Sequence, residues 1–117
     1  MNSTHDSTLD AATASAASAF VARVAALYPV SGAILFGSRV RGTERPDSDA
    51  DIAVLLRGQR GPFVDTKLAM ADIAYDVLLA TGIHVQPLPI WEDEWAHPET
   101  YSNPGLLQNI RRDGIRL

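Results

Sequence analysis

The chain has 117 residues, 46% of them hydrophobic and 21% charged, a globular composition that suits one domain with one modest core. Its net charge of −4 argues against a general coat for DNA or RNA, and the lack of cysteine excludes disulfides, thiol nucleophiles and thiolate zinc sites. No apolar run approaches the roughly 20 residues that span a bilayer, and the polar start lacks a basic n-region, so a soluble cytoplasmic protein is expected.

Taken in chain order, Met1 to Thr8 is Ser/Thr-rich and reads as a flexible N-terminus, leaving residues 9–117 as a single domain. From Leu9 the apolar spacing is helical, with Leu9, Ala16, Phe20, Val24 and Leu27 on roughly one face, until Pro29 stops the helix. Ala33 to Phe36, bounded by Gly32 and Gly37, is too short for a helix and reads as a buried strand. Gly37 to Ser48 is polar, with Gly42 and Pro46 as breakers, and Asp51 to Leu56 reads as a second buried strand. Beyond the turn-rich Gly58 to Pro62, a helix is predicted from Val64 to Ala80, with Val64, Leu68, Ala71, Tyr75 and Leu78 along one stripe and Gly82 just past its end. Ile83 to Pro89 is a third strand, whose prolines confine it to an edge or a strand end. Trp91 and Trp95 stand four apart, a spacing that suits small-core packing or a partner surface that extends to Tyr101. A last helix has Asn103 as N-cap, Pro104 at its first position, Arg111 and Arg112 in its final turn and Gly114 after it. Its Leu106, Leu107 and Ile110 would dock on the sheet. The order predicts a small α/β sheet with helices layered on one side.

The chemistry concentrates between Gly37 and Asp51. A glycine leaving a buried strand lets the backbone turn sharply and lets a ligand approach closely. If a short helix starts at Ser38, its free N–H groups converge on one spot and favour an anion, to which the Ser38 hydroxyl can also donate. Alone, Gly-Ser after a strand is more often an ordinary turn. Asp49 and Asp51, two apart at the mouth of the second strand, project from one face and repel each other unless a cation lies between them. Mg²⁺ suits such a pair because it accepts carboxylates, substrate phosphates and water. Asp-x-Asp alone reads more readily as an acidic turn leading into a strand. Arg39, Arg41, Arg45, Arg57 and Arg60 fall within 22 residues, so a local anion site is compatible with the acidic average.

Gly37-Ser38, ten residues, then Asp49-x-Asp51 entering an apolar strand resembles the signature of the DNA-polymerase-β-like nucleotidyltransferase superfamily. Gly37-Ser38-Arg39-x-Arg41-Gly42 and Ser48-Asp49-x-Asp51-Ile52 resemble its minimal nucleotidyltransferase subgroup. The tight match runs from Leu35 to Leu56. The resemblance implies a small polymerase-β-like sheet with helices packed on it, in which Gly37 and Ser38 hold the triphosphate and Asp49 and Asp51 bind Mg²⁺. Ser38, Asp49 and Asp51 would be the catalytic residues, ATP the substrate, and Arg39 and Arg41 the groups neutralising the pyrophosphate side. It also implies a role as the antitoxin of a HEPN-domain toxin in a hetero-oligomer, with AMP transferred to a toxin tyrosine, and with no direct contact to nucleic acid or membrane.

One departure stands out. Active members of the family it resembles usually carry a third carboxylate on the next core strand, whereas Ile83 to Leu88 contains no acid and offers His84 and Gln86 on one face. A histidine titrates near neutrality and suits a base, or is simply a strand-end residue. Without the acid the domain either modifies an acceptor that needs little help or neutralises its partner by binding alone. A small-molecule transferase is a third reading, for which 117 residues leave little room. Asp72 and Asp76 read as a solvated helix face, Glu92 to Glu94 as a helix-start charge run, and His5 and His97 carry no argument.

Overall fold

A computed structural model describes residues 10–41 and 49–117, with the backbone alone at positions 39 and 41. The expected flexible Met1–Thr8 segment with His5, the residue Leu9, and the connection from Gly42 to Ser48 with Arg45 lie outside the described residues. Helix α1 (Ala11–Ala25) starts where the Asp10 carboxylate accepts the Thr13 N–H at 3.3 Å and the Thr13 hydroxyl. It buries Ala16, Ala17, Phe20 and Val24, whereas Leu27, expected on the same face, falls past the helix end and is 71% exposed. Strand β1 (Val30–Phe36) leads into a single turn, α2 (Ser38–Arg41), and strand β2 (Ala50–Leu56) runs back antiparallel to β1. Helix α3 (Phe63–Thr81) crosses over to strand β3 (Val85–Trp91), which lies parallel to β2. Short helix α4 (Glu92–Ala96), a 3₁₀ turn over Pro98–Thr100, helix α5 (Pro104–Asp113) and the two-residue strand β4 (Ile115–Arg116) complete the described chain.

The sheet order is β3-β2-β1-β4. Edge strand β3 carries Pro87 and Pro89, as the prolines required; two apart, they present the same side of the backbone, so both missing donors fall on the outer edge. Strand β4, too short to read from pattern, pairs with β1 at Ile34 and Leu35. Gly114 is extended (φ −73°) rather than left-handed, and it is needed for space: a Cβ there would overlap Ile34 and the carbonyl of Ile110. Gly82, by contrast, ends α3 with φ +80° as a left-handed cap.

Alternation splits the core in two. Ala33, Leu35, Ile52, Val54, Leu56 and Val85 meet α1 and α3 on one face, with Trp91. Ile34, Ala53, Leu55 and Ile90 meet Leu107 and Ile110 of α5 on the other, with Trp95 and Tyr101 beside them. Helices therefore cover both faces, not one as the element order had implied, because α5 returns beneath the sheet. The two tryptophans are absorbed into opposite cores. A second correction concerns α3: Thr66, Met70, Ala74 and Val77 form its buried face, while Val64, Leu68, Ala71 and Tyr75 point outward.

Candidate functional site

The site forms where β1 ends and β2 and β3 begin. Gly37 leaves β1 with φ +87°, a conformation that L side chains rarely adopt, and a Cβ there would overlap the Asp51 carboxylate. Glycine is thus required twice, by the turn and by the close approach of Asp51. The turn aims the chain into α2, which begins at Ser38, and the Val40 N–H donates back to the Gly37 carbonyl at 3.2 Å. Asp51 pairs with Phe36 across the antiparallel ladder and with Gln86 across the parallel one.

One step outward, the Ala50 N–H donates to the His84 carbonyl at 2.8 Å and extends the β2–β3 pairing past its formal start. This sets His84 beside Asp49, with Nδ1 3.0 Å from Oδ1. When the Asp49 carboxylate accepts, His84 Nδ1 is the donor of this contact. The predicted alternation therefore holds, and register sorts its members: His84 stands beside Asp49 and Gln86 beside Asp51. Both rungs open to solvent, Asp49 and His84 at 42% and 44% side-chain exposure.

A cavity of about 240 Å³ adjoins the carboxylate, lined by Phe36, Gly37, Val40 and Asp51 from the sheet side and by Leu106, Asn109, Ile110 and Asp113 from α5. Leu106 and Ile110 were expected only to dock α5 on the sheet, and Asn109 and Asp113 escaped the sequence reading. Their spacing of three, one and three marks a single stripe, but nothing in it says that the stripe faces Asp51. Not all expected residues gather here. Arg57 and Arg60 follow the far end of β2, about 20 Å from Asp51 at a strand's rise per residue. Arg60 turns instead to Glu94, Nε to Oε2 3.5 Å. Glu94, expected in a solvated run, is 3% exposed and accepts the Trp91 N–H at 3.2 Å. Of Arg39 and Arg41 only the backbone is described, within α2 and next to Ser38; Arg45 lies outside the described residues.

Residues 18–110 match the family model described as nucleotidyltransferase domain. The chain belongs to that family. Among solved structures, a crystal structure of a candidate nucleotidyltransferase from Sulfolobus solfataricus matches with a TM-score of 0.55 and 22% identity, covering 87% of this chain and 76% of that one. At that identity the likeness speaks for the fold. No curated protein matches the chain.

Nucleotidyltransferase domains generally take a nucleoside triphosphate and a divalent metal. Among the described residues no group of three or more histidines, aspartates or glutamates could hold a metal by itself. A carboxylate pair nonetheless fits Mg²⁺, which is commonly held by one or two carboxylates and completes its shell with phosphate oxygens and water. No helix of the described residues is long and apolar enough to cross a membrane.

Proposed function

We propose that this chain is a Mg²⁺-dependent nucleotidyltransferase that serves as the antitoxin of a HEPN toxin, transferring AMP from ATP to a tyrosine hydroxyl of that toxin. The observation that carries the reading is the neutral Gln86 in register with Asp51, where active relatives are expected to hold an acid. An alkyl hydroxyl is a very weak acid and needs a strong base, whereas a phenol with pKa near 10 needs far less help. In this reading Gly37 and Ser38 hold the triphosphate, Asp49 and Asp51 hold the metal, and Arg39 and Arg41 neutralise the pyrophosphate side. The metal would supply charge neutralisation at the phosphates. The phenolic oxygen forms its bond to the α-phosphorus as the bond to the bridging oxygen breaks and pyrophosphate leaves. The phenolic proton passes to water or to the His84 ring beside Asp49.

The same Gln86 favours a second reading, an antitoxin that neutralises its partner by binding with transfer weak or lost. The two separate in one assay: the chain, Mg²⁺, each labelled nucleoside triphosphate and the toxin, beside an Asp49→Ala/Asp51→Ala variant. Label on the toxin that disappears with the variant, and from a Tyr→Phe toxin, supports transfer. Toxin neutralisation that survives in the double variant with no label transferred would sink it.

A further inference from the structure

Helix α3 carries two apolar faces, and only one is used. Thr66, Met70, Ala74 and Val77 seal the core, yet on the outer side Val64, Leu68, Tyr75 and Leu79 are 64, 61, 58 and 69% exposed. Helical residues are about 100° apart, so these four fall in a strip about 60° wide, roughly opposite the buried face. Ala71 lies at the margin of the strip and is also exposed. Single exposed leucines are ordinary, but a contiguous stripe of four large side chains along one helix marks an interaction surface.

What borders the strip defines the occupant. The same rotation puts Asp65, Asp72 and Asp76 in a continuous row along one flank, all exposed. Asp76 lies 3.9 Å from half-exposed Arg23, and the other flank carries Lys67, which lies over the Phe63 ring at 5.9 Å. A second copy of the chain fits poorly. Antiparallel identical helices set like flank against like flank and would bring two acidic rows together. Parallel ones leave one lysine to answer three aspartates, and each copy has a net charge of −4. Nucleic acid and anionic lipid are repelled by the same row.

We propose that the outer face of α3 docks an amphipathic helix of a different protein, one that carries an apolar stripe flanked by a row of lysines or arginines. The stripe supplies burial and the basic row supplies register and choice of partner. This surface lies on the face of the sheet away from Asp51 and stands whether or not the proposed transfer occurs.

The test uses the full chain and three synthetic peptides of equal length: a helix with leucines at three-four spacing beside a lysine row, the same helix with glutamates for lysines, and a scrambled lysine peptide with no stripe. Fluorescence anisotropy should show the lysine helix binding at least about tenfold more tightly than either control. Leu68→Glu should weaken it by about tenfold or more, and Leu79→Glu, at the far end of the strip, serves if the first variant does not fold. An Asp65→Lys/Asp72→Lys/Asp76→Lys variant should invert the preference between lysine and glutamate helices. Equal binding of the three peptides, or binding indifferent to both glutamate variants, overturns the proposal. So does sedimentation showing a dimer of the chain that Leu68→Glu dissolves, which would make the face a self-interface.

Discussion

On β2, Ala50, Ile52, Val54 and Leu56 point toward α1 and α3 and are sealed, while Asp51, Ala53 and Leu55 point the other way and pass from polar to buried along the strand. The difference lies in what covers each face. Two helices of 15 and 19 residues close the first face from end to end, whereas α5, with 10, covers the second only in part. The uncovered end is where Asp51, Gln86 and Gly37 meet. A sheet can thus carry its stability on one side and release the mouth of the other for charge, because side chains two apart share a face and neighbours do not.

That division makes graded predictions. Phe20→Ala removes a fully buried ring from the sealed face and should cost about 3–5 kcal/mol in urea unfolding; a cost under about 1 kcal/mol would mean that α1 does not hold this face closed. Asp51→Asn should lower nucleotidyl transfer on the order of 10²–10³-fold, about 3–4 kcal/mol in the transition state. Unfolding should change much less, and comparable losses in both would blur the contrast between faces. Gly37→Ala should do both, destabilising by about 1–3 kcal/mol through its positive φ and displacing the Asp51 carboxylate, so that activity falls in a protein that still folds.

The smallest effect is a pH term. Burial first, then the Glu94 carboxylate, raise the Tyr101 phenol above its ordinary value near 10, against a lowering by Arg60. A phenol that holds its proton more tightly when folded contributes stability that is complete below the unfolded value and lost as pH rises through the folded one. Tyr101→Phe should therefore flatten the decline in melting temperature on the alkaline side, and an unchanged slope would remove Tyr101 from the account.

Much of this was legible in the residues. The Gly37 turn, the edge character of the proline-bearing strand and the Asn103 cap, whose side chain accepts the Leu106 N–H at 3.2 Å, follow from local chemistry that needs no partner. What failed depended on partners. Helix α3 has apolar residues on two sides, and periodicity weighted the stripe of larger side chains, Leu68 and Tyr75, over that of Met70, Ala74 and Val77. Packing chose the other, where small residues let α3 approach the sheet. The placement of Gln86 beside Asp51 rested on inter-strand register, which the alternation of one strand cannot supply. Asn109 and Asp113 were invisible as site residues for the same reason, since α5 could have docked anywhere along the sheet.

Pro87 and Pro89 have a consequence beyond their strand. The outer edge of β3 lacks two consecutive donors on that side, so an incoming strand cannot complete a hydrogen-bonded ladder there. The sheet resists growth by strand addition along this border, which protects the molecule from edge-to-edge aggregation and closes one common route of recognition. Any protein that engages the molecule from this side must do so through side chains, which are far easier than backbone to make selective.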